Sequence, residues 1–291
     1  MTRNFKLCHL IFILGLCQGF PDPGRFEFHV NSSQEFNGVV KNVYNGTKIF
    51  VKVKCTPEDV QTEEFNRDQI QLKIGWVLRE TICWNEYAFM ENLGDLYKTY
   101  YEKPELILDL TGYSNRTNYV KYPETDYKCN PQFQLNNLDA KAVEINQDAN
   151  QDYSKLGKPQ AQYTVTHDGN YLFVIHIGAN ANFDAIVEVD MQGPQGYLSV
   201  VDWPLLPFYG LMCGLYVAMG LGWLIVCSMH WRDLLRIQFW IGAVIFLGML
   251  EKALFYAEFQ NINSTGYPTK NLIIMAEVVS CAKRTLARYV K

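Results

Sequence analysis

Residues 203–229 run for 27 positions without a charged side chain. At about 1.5 Å per residue, a helix of that length exceeds the roughly 30 Å hydrocarbon core of a bilayer. Pro204 and Pro207 stand at its entry, where a helix tolerates proline. Tyr209, Trp223 and Trp231 lie toward its ends, as interfacial aromatics do. The stretch predicts a membrane span over 204–229.

Charge divides the chain around it. Residues 1–19 carry two Lys/Arg and no acid, residues 20–203 carry 16 and 26, and residues 204–291 carry eight and four. The net charge of −4 and the mean hydropathy of −0.11 therefore average three unlike segments. None is basic enough for nucleic-acid binding. An apolar fraction of 48% excludes a disordered chain.

Arg3 and Lys6 precede an apolar run over 7–16, and Cys17-Gln18-Gly19 places small residues three and one before a cut after Gly19. Residues 1–19 read as a secretory signal peptide, too short to span a membrane. Cleavage would deliver the following residues to an oxidising lumen.

Strand patterns dominate from about residue 25 to 195, within a domain expected over 20–195. In 48–54, KIFVKVK, Ile49, Val51 and Val53 share a face. In 69–78 the alternating set is Ile70, Leu72, Ile74 and Trp76; in 183–191 it is Ala185, Val187, Val189 and Met191. Tyr163, Val165 and the strand text of 171–177 flank Asp168-Gly169, a favoured hairpin pair. Only 86–101 looks partly helical, and the polar stretch 136–159 reads as a loop. The expected fold is a β-sandwich lumenal domain, a linker over 196–203, then transmembrane helices. Asn-x-Ser/Thr sequons at Asn31, Asn45, Asn115 and Asn263 are candidate glycosylation sites. Three cysteines, Cys55, Cys83 and Cys129, predict one internal bridge and one cysteine left over, and spacing does not choose the pair. No pair has zinc-ligand spacing.

After a cytosolic loop at 230–236, a second span is expected over 237–259, a lumenal loop over 260–270, and the start of a third helix over 271–291. Arg232 and Arg236 fall on the cytosolic side, as the positive-inside rule requires. Four ionisable residues interrupt the apolar text: Glu251, Lys252, Glu258 and Glu277. Glu251 and Lys252 point about 100° apart on a helix and are not expected to pair readily, whereas Glu258 shares the face of Glu251. An acid inside a span costs several kcal/mol unless paired or hydrated. The functional reading is a polar cavity or ion path. The simpler reading is an ion pair with another helix or a wetted lumenal end.

From Trp231 the chain reads WRDLLRIQFWIGAVIFLGMLEKALFYAEFQNI, and later AEVVSCAKRTLAR; from Gly196 it reads GYLSVVDWPLLPFYGLMCGLYV. This text closely resembles the transmembrane protein 87 branch of the GOLD-domain seven-transmembrane (GOST) family. CWNEYAF around Cys83 and YLFVIHIG from Tyr171 match it more loosely. The resemblance implies a GOLD-type sandwich facing the lumen and seven helices in Golgi membranes. It implies a disulfide between Cys55 and Cys129, with Cys83 bridged to a later lumenal loop. Two full spans and the opening of a third are present, so the chain reads as C-terminally truncated relative to that pattern. Glu251 is then expected to lack neighbours that satisfy it.

No GxSxG, HExxH or phosphate-loop signature occurs, and His29, His167 and His176 are isolated, so no enzymatic activity and no cofactor are expected. The resemblance implies a role in endosome-to-Golgi retrograde traffic or membrane-cargo escort, with lipids and lumenal or membrane protein cargo as partners. The alternatives are a Golgi cation channel or mechanosensor, prompted by Glu251 and Glu258, and an orphan seven-helix receptor.

Overall fold

The computed structural model describes residues 21–57, 70–81, 93–103, 119–129, 132–135, 161–230, 232 and 236–289. The signal sequence, Cys83, Asn115, the stretch 136–159 and residues 86–92 lie outside the described residues. The chain forms two compact units, one over residues 24–195 and one containing residues 196–291.

The first unit is built from nine described strands and one described helix. The strands are β1 (Arg25–Asn31), β2 (Phe36–Val43), β3 (Lys48–Pro57), β4 (Gln71–Thr81), β5 (Tyr119–Lys128), β6 (Phe133–Gln134), β7 (Tyr163–Thr164), β8 (Gly169–Ala179) and β9 (Phe183–Gln192). Helix α1 (Leu93–Glu102) falls between β4 and β5. One antiparallel sheet has the order β1-β9-β3-β6, with β7 also on β3; the second has the order β2-β8-β4-β5.

The alternating residues make the core between the sheets. Ile49, Val51 and Val53 of β3 and Ala185, Val187, Val189 and Met191 of β9 meet Leu72, Ile74, Trp76 and Leu78 of β4 and Phe173, Ile175 and Ile177 of β8. Trp76 stacks on Tyr122 at 5.5 Å between centroids and lies 5.8 Å from Phe173. The second sheet is covered on its other face too. There Leu172, Val174 and Val77 pack against Tyr97, Tyr100 and Tyr101 of α1. Double coverage is why β8 reads as the unbroken apolar run YLFVI rather than as an alternation. Strand β5 (YVKYPETDYK) stands at an edge, which accommodates its proline and charges.

Gly75 lets α1 come close: a Cβ there would collide with the Tyr101 hydroxyl, which donates to Glu124 Oε1 at 3.2 Å. Burial raises the Tyr97 hydroxyl above the usual tyrosine range. For Tyr101, burial and then the neighbouring Glu124 carboxylate act in the same direction.

Cys55, ending β3 in one sheet, is bonded to Cys129, just after β5 in the other. The bridge therefore ties the two layers across 74 residues of sequence. A loop of that length contributes about 4 kcal/mol by restricting the unfolded chain.

Asp168-Gly169 does not turn a hairpin between neighbouring strands. Strand β7 pairs with β3, whereas β8 pairs with β2 and β4 in the other sheet. Asp168 Oδ1 instead accepts the Asn45 N–H at 2.6 Å, and Val165 exchanges backbone bonds with Gly46 and Thr47. The favoured turn pair is spent on crossing between layers.

The second unit holds three helices: α2 (Leu205–Met229), α3 (Arg236–Thr265) and α4 (Lys270–Tyr289). Two of them, over Leu205–Met229 and Gln238–Thr265, are long and apolar enough to cross a membrane. Helix α2 has no buried residue. Small residues let α2 and α3 approach: Gly242 meets the Trp223 indole and Gly248 the Tyr216 ring.

Helix α3 runs to Thr265 rather than ending at 259, so the expected lumenal loop is mostly helix. It stops at Gly266, whose φ of 81° suits glycine and whose N–H bonds Ile262 O at 2.9 Å. Helix α4 is amphipathic along its 20 residues, KNLIIMAEVVSCAKRTLARY. Its apolar text is interrupted by Glu277, Lys283 and Arg284, which a helix packed on a neighbour can shelter on one face.

Candidate functional site: an ionic cluster between helices

The residues singled out inside the apolar text are brought together where α3 and α4 pack. Glu251 and Glu258, seven positions apart on α3, are 3% and 1% exposed. Ala276, Val279 and Ser280 of α4 are buried as well. The small side chains of Ala276 and Ser280 allow the close approach that charge pairing between helices needs.

Glu251 is paired, contrary to the expectation that it would lack neighbours. Lys252 Nζ donates to its Oε1 at 3.2 Å, and Lys283 Nζ of α4 forms an ion pair with its Oε2. The Lys283 approach is ionic contact outside hydrogen-bond alignment. Adjacent residues on a helix do diverge, but the lysine stem is long enough to fold back along the surface. Lys252 is also held over the Tyr209 and Phe255 rings, 5.6 and 5.5 Å from their centroids. Tyr209, read in the sequence as an interfacial aromatic, stacks on Phe255 at 5.3 Å and lies 5.2 Å from Phe259. It thereby closes one side of the cluster.

Glu258 differs. Its Oε1 is buried and has no hydrogen-bond partner among the described residues, and its electrostatic neighbour is Glu277 of α4. The interface thus contains a neutralised end, Glu251 with two lysines, and an acidic end, Glu258 with Glu277. Sequence reasoning missed Lys283 as the partner of Glu251. The signal was weak, because Lys283 stands at the boundary of the apolar stretch 272–282, where a basic residue is ordinary.

Beside this interface the entry segment is pinned to the end of α3. Asn263 accepts the Tyr197 N–H at its backbone oxygen (3.1 Å) and the Leu198 N–H at Oδ1 (3.4 Å). Gly196, at φ 123°, leaves room that a Cβ would take from Asn263. Leu198 packs on Phe259 and Ile262. Ser199 Oγ donates to Asp202 Oδ2 at 2.8 Å and accepts the Asp202 N–H at 3.1 Å, turning the chain into α2.

The described sequons occupy different environments. Asn45 is exposed in the turn after β2. Asn31 uses Oδ1 to accept from Ser33 N–H at 3.1 Å, Ser33 Oγ at 2.7 Å and Gln34 N–H at 2.8 Å. Asn263 is engaged as above. Among the described residues, no group of three or more His, Cys, Asp and Glu side chains is placed to hold a metal.

Comparison with known proteins matches both units. The family described as GOST, seven transmembrane domain, matches residues 204–290, and the TMEM87A/B GOLD domain family matches residues 20–178. The chain belongs to the transmembrane protein 87 family. It is similar to transmembrane protein 87A of Xenopus tropicalis, 35% identical over 280 residues, covering 92% of this chain and 49% of the relative. It is equally similar to human transmembrane protein 87B, at 35% over 292 residues, 97% of this chain and 49% of the relative. The chain thus spans about half the length of the curated relatives it matches. As a member of the transmembrane protein 87 family it is a multi-pass membrane protein with a GOLD domain. The two-sheet unit is that domain, and the Glu251 cluster lies in the seven-transmembrane match.

Proposed function

We propose that the protein is a Golgi membrane protein with its GOLD domain in the lumen, acting without catalysis in retrograde endosome-to-Golgi traffic or membrane-cargo escort. The observation that carries the lumenal placement is the buried bridge between Cys55 and Cys129. Such a bond belongs to an oxidising compartment. The signal-like sequence over 1–19 and the sequon at the exposed Asn45 support the same placement. An acidic sandwich of 26 Asp/Glu against 16 Lys/Arg over 20–203 suits selection of basic or polar partner surfaces in that lumen. Membrane lipids around α2 and α3, and lumenal or membrane protein cargo, are the proposed partners. Deletion of the gene, followed by imaging of Golgi-recycling cargo, tests the reading. Mislocalised cargo restored by the wild-type gene is expected, and unchanged cargo distribution overturns it.

A second reading, cation conduction, is favoured by one observation: the unpartnered, buried Oε1 of Glu258 beside Glu277. An uncompensated acid within apolar surroundings commonly marks an ion pathway. Purified protein in liposomes should then pass a cation current that Glu258→Gln reduces. Absence of current removes this reading.

A further inference from the structure

The face of the second sheet that packs on α1 is apolar in its middle and polar at both ends, with His176, Glu35 and Glu124 near the Tyr101 hydroxyl at one of them. Beyond Val77 at the other end lie Arg79 of β4, level with Leu172 of β8, then Thr81, with Tyr119 of β5 beside Arg79. Arg79 and Tyr119 face each other directly across the β4–β5 ladder, and Thr81 is two residues further on the same face. Arg79 is 4% exposed and Thr81 3%.

None of these groups has its hydrogen bonds made. Arg79 Nε and Nη1, Thr81 Oγ1 and Tyr119 Oη are buried and lack a hydrogen-bond partner among the described residues. They are four of the twelve such atoms in the described structure, gathered on three neighbouring side chains. The Arg79 guanidinium lies 4.9 Å from the Tyr100 ring centroid, a contact that fixes its plane without using its N–H groups. Burial raises the Tyr119 hydroxyl above the usual tyrosine range and the nearby Arg79 charge opposes this, so the two side chains sense each other.

A buried guanidinium left unpaired is among the most costly arrangements in a folded protein. Three side chains able to donate, one carrying a fixed positive charge, call for a planar acceptor with a single negative charge. We propose that this polar end of the sheet is a binding site for a carboxylate. The guanidinium takes the carboxylate oxygens, and the Tyr119 and Thr81 hydroxyls complete its shell. One positive charge balances one carboxylate, whereas a phosphate dianion would be left half neutralised. The assignment goes beyond the traffic reading and stands or falls independently of it.

The test uses the full chain in lipid nanodiscs with sodium acetate as the probe, against sodium chloride at equal ionic strength. Hydrogen exchange is followed in peptides covering residues 77–81 and 119–122. Acetate should slow exchange there saturably, by about threefold or more, and Arg79→Gln should abolish the effect. Because Arg79→Gln risks misfolding, Tyr119→Phe is the second variant. Losing one hydrogen bond should raise the half-saturating acetate concentration about fivefold with the strands intact. No acetate-specific slowing in the wild type overturns the proposal, as does equal slowing in Arg79→Gln. That first outcome includes the case in which an acid of this chain already occupies the guanidinium. Inorganic phosphate acting as well as acetate overturns the assignment to a carboxylate.

Discussion

Most of what the sandwich buries is apolar, whereas the α3–α4 interface buries two acids among its apolar residues. In the sandwich the buried side chains are chiefly Trp76, Phe173, Phe183, Ile175 and their neighbours, and the buried polar ones, Lys41, Thr47, Arg79, Thr81 and Gln162, are few beside them. Between α3 and α4 the most buried residues include Glu251, Glu258 and Ser280, while Leu211, Leu224, Ile274 and Phe246 stand exposed. Water drives the first arrangement, because removing apolar area from it is worth about 25 cal/mol per Å². In a bilayer that force between helices vanishes, since lipid tails are as apolar as leucine. Packing of small residues and pairing of polar ones must then hold the helices.

The largest expected effect tests the sandwich alone. Replacing both Cys55 and Cys129 by Ala should cost about 4 kcal/mol and lower its melting midpoint by about 10 °C. Proteolysis of strand peptides across a temperature series measures it. The helices should melt as before; a parallel loss there would break the distinction between the units.

Breaking the ionic contact tests the helices. Lys283→Met removes the inter-helix partner of Glu251, and about 2 kcal/mol of α3–α4 association should be lost, the full cost of a broken buried pair being moderated by Lys252. Chemical cross-linking of cysteines placed on α3 and α4 would report it. A double variant, Lys283→Met with Glu251→Leu, should recover most of the loss. Failure to recover would mean that apolar packing, not charge pairing, holds these helices.

A smaller effect is expected where α1 meets its sheet. Gly75→Ala should push the Tyr101 hydroxyl off Glu124 and destabilise the sandwich by about 1–2 kcal/mol. Denaturant midpoints give the value, and Tyr101→Phe in the same background, which removes the colliding hydroxyl, should restore much of it.

The smallest effect is a pH dependence confined to the sandwich. Burial raises Tyr44, Tyr97, Tyr101, Tyr119 and Tyr122 above the usual tyrosine value of about 10. The unfolded chain therefore releases these protons first. The stability they contribute is intact below about pH 10 and falls as pH rises toward the folded values. Tyrosinate absorbance should lag behind that of the denatured chain, and Tyr97→Phe should shallow the decline.

Much of this was readable from spacing. The faces of β3, β4 and β9 follow from alternation, and α2 from its length without charge. Strand β5 was not individually legible, because an edge strand facing water carries Pro123 and charges that weaken its pattern. The Asp168-Gly169 pair misled, since a turn signal says where the chain bends and not which sheet receives it. In the candidate site, Glu251, Lys252, Glu258 and Glu277 stood out as charges in apolar text. Lys283 did not, because it sits at the boundary where a basic residue is ordinary.

The sequence by itself determined the division into a β unit and a membrane unit, the inward faces of the main strands and the positions of the intramembrane charges. These depend on local period and composition, which short-range sterics and solvation translate directly into structure. Only the tertiary structure decided that Glu251 meets Lys283, that Glu258 stays without a hydrogen-bond partner among the described residues, and that Arg79, Thr81 and Tyr119 share one unfilled polar end. Each of those facts depends on which elements come to lie side by side, and pairing between distant segments leaves no period in the chain.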